Sequence, residues 1–232
     1  MKKSVLVFII FTLMVFSGCR QIHDIKDNAL NKKNQPAPAV YSEAASPQST
    51  EDVLKQLASQ EFFISEDKLS DADEETTIAF GKAFINLFNG AVGEQKKVSF
   101  EKYIFNKNLR EFTDKMLDLT QKQKLKGGSA VNYGLKNAFG QAVGELIEDN
   151  LYYLELPFQF EGSGQICKML ITVEDKSLKL VDLYFGTKDG VDTYTTGHPA
   201  GRKINNPHLW EDEGWVKDVF DKLEGIEKSL DS

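Results

Sequence analysis

Histidine, cysteine and tryptophan are scarce in this chain, at three, two and two residues. Three imidazoles leave little room for a histidine-built metal centre. No pair of histidines stands at the helical spacing of a zinc protease, and no GxSxG elbow, phosphate-cradling glycine loop or dinucleotide fingerprint occurs. No cofactor is expected. Positive charge is also in deficit: the whole chain carries −7, and without Lys2 and Lys3 it has 26 basic against 35 acidic residues, or −9. Such a surface repels polyphosphate, which argues against nucleic acid as a partner. Prolines number six, and Pro36, Pro38 and Pro47 crowd into one stretch. After Phe16 no apolar run is long enough to span a bilayer.

What is present begins with the leader. Lys2 and Lys3 form a short basic start, Val5 to Phe16 is uncharged and almost wholly apolar, and Ser17 and Gly18 precede Cys19. That is the layout of a secretory signal peptide. About a dozen apolar residues fall short of the roughly 20 that cross a membrane. The stretch resembles the lipobox of bacterial lipoproteins, in which the cysteine sulfur receives a diacylglycerol and the chain is cut just before it. The resemblance implies that Cys19 becomes the lipidated first residue. The mature protein would then sit on the extracytoplasmic face of the cell membrane, with the membrane as its partner through the lipid on Cys19.

The expected organisation is a signal peptide over 1–18, the lipidated Cys19 and a disordered tether over 19–50, and a single α+β domain over 51–232. The tether is rich in Asn, Lys, Gln, Ala and Ser and has no apolar period to bury; thirty such residues reach about 30 Å on average. With Cys19 lipidated, Cys167 stands alone, no intramolecular disulfide is possible, and the thiol is expected in the core.

Ser49 or Thr50 caps a short helix with Val53, Leu54 and Leu57 on its apolar side, and Phe62, Phe63 and Ile64 offer a patch to dock. The run from Ser70 to Glu75 suits the positive end of a helix. Behind it Phe80, Phe84, Leu87, Phe88 and Ala91 repeat at helical spacing, with Gly90 or Gly93 as the stop. A further helix is expected from Ser99 to Gly127-Gly128. The aromatic stripes of these helices read as core.

The period then changes to two. Tyr133–Phe139 and Val143–Ile147 read as one bent strand with Gly140 and Gly144 as bulge sites. Leu154, Leu156, Phe158 and Phe160 alternate along a half-buried strand, where Pro157 needs an edge or a bulge. A four-residue turn over Glu161–Gly164 would set Phe158 opposite Cys167 and Leu156 opposite Met169. The next hairpin is ambiguous. A two-residue turn at Asp175-Lys176 sets Asp182 beside Met169 on the apolar face. A three-residue turn puts Leu183 and Phe185 there and sends Asp182 outward, which is the reading preferred; Asp182 inside would be a functional clue, because a buried carboxylate is costly.

Residues 186–206 show no clear period and read as a long loop with a possible short edge strand at Val191–Tyr194. Asn206 and Pro207 would open a C-terminal helix over 207–230, with Trp215, Val219, Phe220, Leu223 and Ile226 buried. The acid–base candidates are His198 or His208 with Asp182 or a strand carboxylate such as Glu145 or Glu155. Arg202 and Lys203 could hold an anion, so His198, Arg202 and His208 are the candidate ligand-binding residues.

Helices first and then a curved antiparallel meander, with a C-terminal helix added, make an α+β domain. The order over about Asp73–Phe185 resembles the nuclear-transport-factor-two-like fold, whose SnoaL-like and cystatin-like relatives close helices over a bent sheet. That resemblance implies a pocket, used by an enzyme or by a binding module. With no catalytic signature, the expectation is a non-enzymatic lipoprotein domain for a small ligand or an envelope protein. The alternatives are a SnoaL-like pocket enzyme using Asp182 and His198, or an immunity-type lipoprotein.

Overall fold

The computed structural model describes residues 49–127, 137–148, 150–160, 162–187 and 190–231. The leader, Cys19, the tether up to residue 48 and the proposed strand start at Tyr133 lie outside the described residues.

The fold is α+β, with helices before and after a five-stranded antiparallel sheet. Helix α1 spans Thr50–Ser59, and the Ser49 hydroxyl accepts from the Asp52 amide at its start. Helix α2 covers Glu74–Glu94; before it, Ser70 and Asp73 close a reciprocal capping box. Its aromatic stripe is core, as expected: Phe80, Phe84, Leu87, Phe88 and Ala91 are all buried. The helix runs through both Gly90 and Gly93, and ends only at Gln95, in the left-handed region at φ 54°. Neither glycine stops it because Gly90 lies inside the packed stretch, where burial outweighs the roughly 1 kcal/mol glycine penalty.

The helix expected from Ser99 starts later. Helix α3 spans Lys107–Lys126 and is capped by Asn106, whose side chain accepts from the Asn108 and Leu109 amides. The residues before it are used elsewhere: the Leu180 amide donates to the Tyr103 carbonyl, and Ile104 bridges Leu180. The segment after α1 does the same further along, with the Leu178 amide on Phe62 O and the Ile64 amide on Lys176 O. Both pieces cover one edge of the sheet. Strand-like alternation also explains why Ile64 is buried while Phe63 is 59% exposed, against the expectation that the whole patch docks.

The strands are β1 (Ala138–Phe139), β2 (Val143–Glu148), β3 (Leu151–Phe160), β4 (Ser163–Glu174) and β5 (Ser177–Tyr184). β1 and β2 both pair with β3 and follow one another along it, offset by one residue between Phe139 and Val143. They are one bent strand with its bulge at Gly140, whose amide donates to Pro157 O. Pro157 thus stands opposite a bulge, where its missing N–H costs little.

The β3–β4 hairpin closes more tightly than expected. Phe160 faces Ser163, Leu156 faces Cys167 and Leu154 faces Met169, two residues out of the proposed register. Gly162, at φ +78°, supplies the left-handed position that a two-residue connection requires. A slip of two leaves each side chain on its own face, so Cys167 is in the core as expected, fully buried.

Elements of both readings occur in the β4–β5 hairpin. Its turn has two residues, with Asp175 and Lys176 both at positive φ. A bulge between Leu170 and Ile171 then shifts the register, so that Met169 faces Leu183 and Leu170 faces Asp182. Asp182 leaves the main core face, yet it does not reach solvent: it is completely buried.

Beyond β5, Val191–Thr196 is a short helix, α4, where an edge strand was expected. Its threonines bond backwards, Thr195 Oγ1 to Val191 O and Thr196 Oγ1 to Asp192 O. The C-terminal helix, α5, begins at Glu213 and ends at Asp231, not at Pro207. Asp212 caps it, accepting from Gly214 and Trp215. A single tight turn at Leu209–Glu211 precedes it and delivers Trp210 into the interior.

Candidate functional site

A cavity of about 1310 Å³ lies between α2, the C-terminal half of α3, the bulged end of the sheet and the start of α4. The bulge at Gly140, opposite Pro157, lies on its sheet side, and both residues line it. Phe88, Phe158 and Phe185 form a contiguous aromatic wall, with ring centroids 4.8 Å apart for Phe88–Phe185 and 6.2 Å for Phe158–Phe185. Asn89, on the same wall, donates to Asn137, which in turn donates to Asn86. Lys124 stands over the Phe160 ring toward the β3–β4 hairpin.

Among the described residues one carboxylate lines this cavity. Asp192, 2% exposed, accepts from the Phe185 and Gly186 amides at 2.6 and 2.8 Å through one oxygen. Burial raises its pKa above the ordinary carboxylate value, and those backbone amides oppose the rise only in part.

A second buried carboxylate sits on the other face of the sheet. Asp182 Oδ1 accepts from Arg202 Nη2 at 2.6 Å, Trp210 Nε1 at 2.9 Å and the Leu183 amide at 2.9 Å. Arg202 is itself buried, donates to Lys203 O, and lies 5.6 Å from the Trp215 ring. Trp210 packs on Phe112 and edge-on to Trp215, each at 4.8 Å. Burial raises the Asp182 pKa, with Arg202 pulling against it. This cluster ties the segment after α4 and the turn before α5 to one carboxylate oxygen, and Arg202 and Trp210 carry the contact on to Trp215 in the first turn of α5. It is an internal clamp: the Asp182 side chain is fully buried and that of Arg202 is 5% exposed.

The residues singled out from the sequence are therefore dispersed. Asp182 and Arg202 come together as an ion pair, one that sequence spacing did not suggest. His198 is exposed, its Nδ1 accepting from the Ala200 amide, and no hydrogen bond or ion pair joins it to Asp182. His208 is exposed and pairs with Glu211 at 3.1 Å. Glu155 takes the Tyr153 hydroxyl and lies 3.7 Å from Lys168, while Glu145 and Lys203 are exposed. Burial pushes the Cys167 thiol up, which keeps it protonated and unreactive. Asp192 and Trp210 escaped notice; the only local hint was a lone acid in an otherwise uncharged run, Val191–Thr196. No helix among the described residues is long and apolar enough to cross a membrane.

No family model matches this chain, and no curated protein or solved structure matches it either. The functional reading rests on the geometry above.

Proposed function

We propose that this chain is a membrane-anchored extracytoplasmic lipoprotein whose α+β domain is a non-enzymatic binding module for a small ligand or a segment of an envelope protein. The observation that carries the binding part is the cavity of about 1310 Å³, walled by aromatic rings and edged by amides. Its size lies above the ~300–1000 Å³ of common small-molecule sites, which suits an elongated ligand. The anchoring part rests on the leader and on Cys19. The order of helices and bent meander supports a nuclear-transport-factor-two-like reading of the same pocket. Asp182, enclosed by Arg202 and Trp210, and His198, at the surface, make no pair that could share a proton, so the enzyme alternative gains nothing from the geometry.

Two measurements test this. Intact mass of the chain from membranes should show residues 1–18 absent and a diacylated cysteine at position 19; Met1 with an unmodified thiol refutes the anchor. Native mass spectrometry of the full chain should retain a bound molecule that Gln165→Trp expels. Gln165 lines the cavity, is half-buried and stands opposite Phe158 on the core-facing side of the hairpin, so the indole occupies the cavity beside the aromatic wall. A variant that folds and binds as wild type refutes the cavity.

A further inference from the structure

The two buried aspartates differ in one respect that bears on the ligand. Asp182 has Arg202 as its counter-charge, whereas among the described residues no lysine, arginine or histidine makes an ion pair with Asp192. On α5, Lys222 is engaged by Asp218 and by the Thr195 carbonyl, and on α3 the cavity-lining Lys124 stands over the Phe160 ring. A carboxylate held out of water without a counter-ion is among the costliest groups in a fold. The backbone instead fixes it in place, through two amides on a single oxygen. It borders an open cavity whose neighbouring wall is Phe88, Phe158 and Phe185, and the amide of Phe185 is one of its two donors. Aromatic faces are the negative side of the ring quadrupole and attract cations.

We propose that the cavity takes an organic cation, an amine or quaternary ammonium whose charge sits against the Asp192 carboxylate and whose apolar body lies on the Phe88, Phe158 and Phe185 rings. The inference rests on the cavity being a binding site and names the class of molecule that the site selects. Anionic amphiphiles such as fatty acids and alkyl sulfates are disfavoured by the same carboxylate. Lys124, over Phe160 toward the hairpin, lies where the more polar end of an elongated ligand would emerge.

The test compares three probes with one tail: octyltrimethylammonium, octyl sulfate and octanol. Each is titrated calorimetrically into the full chain in nanodiscs of neutral lipid, with empty nanodiscs as the blank. The ammonium should bind at least about tenfold more tightly than either of the others, and Asp192→Asn should abolish that preference while leaving octanol unchanged. Should the variant fail to fold, wild type decides the matter through pH. A quaternary ammonium has no proton to lose, so weaker binding at pH 4 than at pH 7, with octanol unaffected, reports a protein carboxylate. The other titratable groups coupled to Asp192, Cys167 and Tyr184, have raised pKa values and stay neutral over that range. Equal binding of all three probes overturns the cation assignment and leaves the cavity reading standing. If none binds, the cavity reading falls with it.

Discussion

Replacing Asp182 by alanine probes the clamp beneath α5. The substitution leaves the Arg202 guanidinium, whose side chain is 5% exposed, and the Trp210 indole N–H without their shared acceptor. Arginine cannot shed its proton, so an uncompensated charge remains inside. Breaking a buried pair from one side costs about 3–5 kcal/mol, and for a domain of this size each kcal/mol lowers Tm by about 2–4 °C. The expected loss is therefore about 4 kcal/mol and on the order of 10 °C. Arg202→Met should cost less, because the abandoned carboxyl can take up a proton and already has a raised pKa. The double variant Asp182→Leu with Arg202→Met should cost less than the two single changes together, since no lone charge is left. Urea unfolding followed by both far-UV circular dichroism and tryptophan fluorescence is the assay; the only two tryptophans, Trp210 and Trp215, both lie in this cluster. The reasoning is refuted if Asp182→Ala costs under about 1 kcal/mol, or if the double variant loses the full sum.

The remaining expectations concern packing, acid–base balance and the thiols. At Gly81, on α2, a Cβ would lie 2.6 Å from Leu154 Cδ2 and 2.8 Å from Leu156 Cδ1. Gly81→Ala should therefore destabilise by about 1–3 kcal/mol through overpacking, although alanine is the better helix former; a higher urea midpoint would show that the helix does not approach the sheet so closely. Asp192 has a raised pKa in the fold, so between the unfolded and the folded value the folded state keeps a proton that the unfolded chain has released. The stability tied to that proton is present in full below the unfolded carboxylate value and lost as pH rises through the folded one. The stability of Asp192→Asn relative to wild type should accordingly climb from pH 3 to pH 7, and a flat difference would contradict the burial of the charge. Finally, if Cys19 is lipidated as proposed, and with Cys167 buried, the native protein should show no thiol reactive to a disulfide reagent, and unfolded protein one. A single reactive thiol in the native state means that Cys19 is free or Cys167 accessible, and peptide mapping tells which.

The α+β class, the stripes of α2 and α3, the meander and the burial of Cys167 were legible because each depends on a repeat of hydrophobic residues that one element imposes on itself. Face assignment survived even where the β3–β4 register slipped, since a shift of two preserves parity. Starts and stops were less legible. The segment from Phe100 to Asn106 carries helix-compatible residues, but its backbone is recruited to the edge of β5, a partner nearly eighty residues away. Gly90 ends nothing because its neighbours are buried around it. Most of all, the fate of Asp182 was undecidable from its neighbours: a bulge beside Leu170 selects its face, and Arg202 and Trp210, twenty and twenty-eight residues on, decide that it is enclosed. Local sequence specifies periodicity. Only the assembled chain brings together charges, rings and backbone amides from distant segments, and that is why Asp192 and its aromatic wall became visible in three dimensions alone.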